Sequence, residues 1–485
     1  NARSDTTAEA EAGAEGGVAL DAVVALSELR LQTEALVEAG AAISTTGAVN
    51  ITATSAGEHV ATASGDTESS KVGIGASGAI ILSTTQTRAS LERDLTTTGT
   101  DEDGALTVRA ESSRSYEAVA TASAAGGKAE DETTEAERDK AASTSTLKDN
   151  KDAQEGTETT KKDNKLAIAA AVGAAVLDDD TRATIGAGRT LELGGRLAVE
   201  ASSDSDFSAR GLGNTLDIDK LQDSAKVGIG VGVGLAIARN DTEASIGADS
   251  TIVKASAIDI AAEASQNTAA DFANKLAAEG IAGAGAEKVG IAGALAVAYS
   301  QSSTKAWLGD RTKLGDPATV GDIGAVSISA DNTSKLSAKA WSAALAGKVG
   351  IGASIAILRS DNAYRAWVGD HAEITAASLN LAARNHVITG APPFDWSVLT
   401  DLENRFTETN LQILLGQNNY YTETIAGAGS NKVAVTGAFS VNVFEDLTEA
   451  SIGTATKITA TNAVTVEADN STTAKAFAGG IAAAG

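Results

Sequence analysis

Few residues in this chain are placed to do chemistry. The three histidines, His59, His371 and His386, share no metal-ligand spacing, and cysteine is absent. That excludes thiol catalysis, disulfide staples and cysteine-based zinc sites. Neither a Walker A loop nor a serine nucleophile elbow occurs. Strings like GxGxxG abound, but they recur inside repeated segments with no strand–helix unit after them. The densest carboxylates are Asp178, Asp179 and Asp180. Such a triplet is a weak candidate for calcium, or for the acids of a polysaccharide-cleaving site. Other units read RSD, RND or FED in the same slot, so a solvated turn is the plainer expectation. The GGxGxD calcium repeat is missing, and DEDG at Asp101 lacks the remaining EF-hand ligands. No catalytic residue and no cofactor are expected. Calcium rests on acidic charge alone.

The other residues with recognition chemistry are aromatic. Trp307 and Trp367 hold the same position in units 60 residues apart. They are expected as a stacked pair at the solvent edge, or as a platform for a sugar or partner. Phe394, Trp396, Tyr420 and Tyr421 fall in a second cluster, with Pro392 and Pro393 before it. That cluster is expected either to cover an apolar flank or to contact another chain or a glycan.

Composition says what must hold these residues. The chain has 485 residues, of which 3% are aromatic and none is Met or Cys. Its apolar 43% is carried mainly by Ala, Val, Ile and Leu, which suits thin layers packed through small side chains. No apolar run reaches the roughly 20 residues of a membrane helix. The net charge of −26 disfavours nucleic acid.

An internal repeat decides the architecture. Lys-Val-Gly-Ile recurs at Lys71, Lys226, Lys288 and Lys348, with weaker copies at Lys165 and Lys432. The unit starts are Val18, Val72, Leu166, Val227, Val289, Val349 and Val433. Seventeen residues after each start stands an alanine: Ala35, Ala89, Ala183, Ala244, Ala306, Ala366 and Ala450. Eight residues further on six units place an aliphatic, and the unit at Val72 places Thr97. Each unit then carries an alternating segment, such as LTVRA at Leu106 or VSISA at Val326. Alternation at period two predicts strands with one buried face. The opening segment, VGIGASIAI at Val349, interleaves large aliphatics with Gly, Ala and Ser. It predicts a strand covered closely on one face by another backbone. Polar stretches such as LDDDTR and ARNDTE predict turns.

The expectation is an all-β, parallel β-solenoid rod with two insertions. Whether each unit winds one rung or three, or forms an antiparallel hairpin, stays open. The divisions are 1–17, the tail of a preceding repeat, then repeats 18–71, 72–165, 166–226, 227–288, 289–348, 349–432 and 433–485. The insertion at 127–165 is almost wholly polar and is expected as a solvated loop. The insertion at 390–431 is expected to hold a short α-helix, since Thr400 and Glu403 resemble a capping box. Both are expected on one side of the rod. The span reads as a window cut from a longer array.

The phrases KVGIGASIAI, RAWVGDHAEITAASLNLAA and EASIGTATKITATNAVTVEA resemble the repeats of giant bacterial surface proteins. These are the filamentous-haemagglutinin-like and autotransporter-type β-helix adhesins. The resemblance covers nearly the whole chain outside the insertions. It implies an exported, extracellular fibre segment serving adhesion, aggregation or filament formation. Implied partners are neighbouring copies or further repeats of the chain, and glycans or proteins on host or bacterial surfaces. The alternatives are a self-assembling filament or surface-layer protomer, and a polysaccharide-processing β-helix.

Overall fold

The computed structural model describes residues 2–124, 166–215, 225–264, 274–316, 321–386 and 420–485. Every strand pairing within them is parallel and joins one unit to the next. Val18 pairs Val72, which pairs Leu166; the column runs on through Val227, Val289 and Val349 to Val433. The antiparallel hairpin is thereby replaced by a solenoid with one rung per unit.

Each rung is a flattened loop of two long arms and a short corner strand. In the unit at Leu166 these are Leu166–Ile185, Thr190–Glu192 and Gly195–Asn214. The first arm stacks on first arms and the return arm on return arms. The return arm doubles back against the first arm, so each rung is a two-layered slab. Two-residue reversals, Glu287-Lys288 and Gly347-Lys348, lead back to the next first arm. The recurring lysine therefore marks the reversal.

The polar stretches are not turns. Asp178, Asp179 and Asp180 lie inside the continuous strand Leu166–Ile185. Stacking supplies their backbone groups with ladder partners on both sides, which outweighs the local turn preference of Asp and Asn. Only later units break here, between Ser360 and Ala363 and between Phe444 and Leu447. The real corner follows the first arm. Gly188, Asp249, Arg311, His371 and Ala455 fill one column there with positive φ. Left-handed backbone makes the chain turn at the same height in successive rungs. The Thr97 exception also resolves: Ile43 pairs Leu95, which pairs Leu191. Two residues fewer separate Leu91 from Leu95 than Ile185 from Leu191.

The interior has three zones. Beside the corner strand lies an aliphatic core of Leu91, Leu95, Leu106, Ile185, Leu191, Leu197 and their column mates. At the far end the arms meet through alanine and glycine, such as Ala118, Ala120, Ala167 and Ala169. There the backbones approach so closely that a Cβ on Gly232 would overlap the Ile281 carbonyl oxygen. Between these zones runs a polar seam. Threonine recurs in it at Thr87, Thr181, Thr242 and Thr304, all buried.

The insertions enter at two places rather than one. Residues 125–165 follow Ala124, at the reversal into the first arm. Residues 387–419 interrupt a return arm, between His386 and Tyr420. Tyr420–Ser430 is strand paired to Leu336–Ala346, so the second insertion is shorter than its sequence suggests. The expected helix, with Phe394 and Trp396, lies outside the described residues.

Candidate functional site

Strand geometry separates the Asp triplet, because neighbours in a strand point to opposite faces. Asp178 is exposed on the outer face. Asp180 is half-buried there, accepting from Arg88 at 3.0 Å and Gln86 at 3.2 Å and pairing with Arg182. Asp179 points inward and is 1% exposed. The three carboxylates therefore do not converge on one cation. Among the described residues no group of three His, Asp or Glu side chains is gathered to hold a metal.

Asp179 belongs to the polar seam. Its carboxylate accepts from Thr85 Oγ1 at 2.6 Å, Ser112 Oγ at 3.2 Å and Ser203 Oγ at 3.4 Å. Burial pushes its pKa up, against these hydroxyls and the nearby Arg114 cation. Arg114 is also buried and donates to Ser55 Oγ. On the same return-arm face His59 stacks on Tyr116, with ring centroids 5.1 Å apart. His59 Nδ1 lies 2.7 Å from Thr6 Oγ1. Burial, helped by the Arg114 charge, lowers its pKa from 6.5 to about 4, so the ring is neutral near pH 7. Tyr116 accepts from Ser83 Oγ at 3.1 Å, and burial holds its hydroxyl pKa well above the usual value.

The seam continues through the later rungs. Asn240 donates to Ser205 at 2.9 Å, and Ser300 donates to Asn362 at 3.1 Å. Asn332 donates to Asn385, and Asn385 to Asn470, each at 3.0 Å. Ser360 and Tyr420 both donate to Asp446. These are bonds between rungs and across the slab. Chemically they tie one rung to the next in a setting where an unpaired polar group is costly. Sequence reasoning missed this seam. The threonine column, fifteen residues after the unit starts, is the signal that betrays it.

Trp307 and Trp367 stack along the rod, 5.6 Å between centroids and 9° between planes. Trp307 Nε1 donates to Glu243 at 3.1 Å. Each ring covers a face of the other, so what solvent meets is a half-buried aromatic step beside Ser245 and Ser451. Tyr420 is buried in the seam rather than displayed. Tyr421 is buried as well and donates to Glu423. His371 sits exposed at a corner, and His386 lies 3.7 Å from Asp331, so the histidines stay apart.

The outer faces of the two arms differ. The return arm is polar and laced with ion pairs: Arg210 with Glu279 at 2.8 Å, Lys339 with Glu279 at 3.7 Å, Arg384 with Glu467 at 2.8 Å. The first arm reverses the usual order over its first nine residues. In the rungs from Leu166 to Val349 every inward residue there is Gly, Ala or Ser, and the valines, leucines and isoleucines point out. No protein family, curated protein or solved structure matches this chain.

Proposed function

We propose that this chain is a non-catalytic structural and adhesive fibre segment of a large bacterial cell-surface or secreted protein. The observation that supports it most is the seam. Its serine, asparagine, aspartate and tyrosine side chains bond across the slab and between rungs, the arrangement expected where holding a stack together is the task. Its most distinctive carboxylate, Asp179, is closed in by hydroxyls. The role is then mechanical: a stiff slab projects, and its outer faces and inserted segments present contacts. Bacterial surface glycans, host glycans and other copies of the chain are the partners such a surface suits.

Beads coated with the chain test this. They should clump, or attach to bacterial or host surface preparations, more than beads carrying an unrelated protein of equal net charge. Inert beads, together with release of reducing ends from a polysaccharide panel, would overturn the proposal in favour of an enzyme.

A further inference from the structure

The outward face of the first arm has a composition unlike the rest of the molecule. Take the residues at every second position from the unit start to the eighth residue after it. They form five columns across seven rungs, and every residue in them is apolar. This occurs in a chain of which 21% is charged. The face is open: Val24 is 66% exposed, Val172 41% and Ile355 40%. Residues of the middle rungs, such as Val233, are half-buried by their own column neighbours.

Strand geometry sets its size. Eight residue steps at about 3.3 Å and six rung steps at about 4.8 Å give roughly 750 Å². That exceeds the roughly 300–600 Å² patch of an ordinary monomer. It is close to the ~800 Å² that each partner contributes to a standard stable interface.

We infer that two copies of this chain pair face to face through these first-arm sheets. Flat, β-branched surfaces suit sheet-on-sheet packing about 10 Å apart. The face is also shaped to receive itself. Its middle column is small except at Val231, with Ala76, Ala170, Gly293 and Ala353, and the next column is larger except at Gly78, with Val172, Val233, Leu295 and Ile355. The larger column of one copy fits over the small column of the other. Charge selects the orientation. One rim carries Lys226, Lys288, Lys348 and Lys432. On the other rim Asp178, Asp361 and Glu445 outnumber Arg30 and Arg239. A two-fold axis along the rod places each lysine rim over the partner's acid-bearing rim. An axis across the rod places lysine on lysine. A lipid surface fits less well: the face holds a single aromatic, Phe439, and the net charge of −26 opposes anionic headgroups.

The inference rests on the fibre reading for its use, as lateral pairing of rods, but its test is separate. Sedimentation of the 485-residue chain at micromolar concentration should give a particle of twice 48.4 kDa. Val233→Glu, an outward change, should weaken pairing about 100-fold or more with an unchanged circular dichroism spectrum. Ser329→Glu on the return-arm face should leave pairing intact. If Val233→Glu fails to fold, crosslinking decides the matter, since the protein has no native cysteine. Ala76→Cys should join to its own copy through a short bismaleimide. An Ala76→Cys chain that joins only to an Ala353→Cys chain would overturn the orientation. A monomer at all concentrations, a Val233→Glu dimer as tight as the wild type, or a monomer that sediments with phosphatidylcholine vesicles would overturn the pairing. Coated beads that clump although the chain is monomeric would leave the fibre reading standing and remove this one.

Discussion

At the scale of single residues, the buried titratable groups of the seam set an opposed pH response. His59 is held neutral by burial, with a folded pKa of about 4 against 6.5 when unfolded. The unfolded chain therefore takes up this proton first as pH falls. The contribution of His59 is complete above about pH 6.5 and is lost as pH falls toward 4. Asp179 runs the other way. Its folded pKa is raised above 3.8, so its contribution is full below 3.8 and is lost as pH rises through the raised value. His59→Phe keeps a ring against Tyr116 and removes the titration. Chemical denaturation of this variant at pH 7 and pH 4.5 should show a much shallower acid loss than the wild type. An equally steep loss would contradict the burial of His59. Neither role was legible in the sequence, where His59 is one of three scattered histidines. Asp179 reads there as a turn residue, because Asp prefers turns and only the stack gives its backbone partners.

At the scale of the elements, the alternation of large and small residues in the first arm was legible, and so was the close backbone over its small-residue face. Hydrophobic burial alone would send valine and isoleucine to the interior. Two backbones in close contact demand the opposite: in the rungs from Leu166 to Val349 only Gly, Ala and Ser face inward over the first nine residues. Two glycines measure this difference. Gly232 faces the return arm, where an added Cβ meets the Ile281 carbonyl. Gly293 faces outward with nothing within 4 Å. Gly232→Val should destabilise the slab by about 3 kcal/mol or more through overpacking. Gly293→Val should stay within about 0.5 kcal/mol of the wild type, or gain slightly from strand preference. Urea midpoints compare the two, and equal losses would contradict the assignment of faces. The second insertion was misread. The aromatic segment looked continuous, but Tyr420 and Tyr421 already belong to a strand whose column continues from Leu336 and Ser337.

At the scale of the whole molecule, the solenoid was legible because identical offsets recur unit after unit. The alanine column from Ala35 to Ala450 is the plainest case. The number of rungs per unit was not legible, since offsets fix what aligns and not how often the chain winds between alignments. One rung per unit makes the described rungs a slab about 29 Å tall, from six steps of about 4.8 Å. It also brings the outward columns together as continuous faces, on which the fibre reading and lateral pairing both depend. Distance between distant units is therefore the sharpest test. Arg30 and Gln301 stand in one outward column, linked through Thr84, Asp178 and Arg239, four rung steps apart. Spin labels at Arg30→Cys and Gln301→Cys, diluted with unlabelled chain, report it by electron–electron double resonance. The one-rung stack predicts a narrow distribution near 19 Å, from four steps of about 4.8 Å. A distribution near 58 Å, the roughly threefold spacing of a three-rung unit, would contradict it.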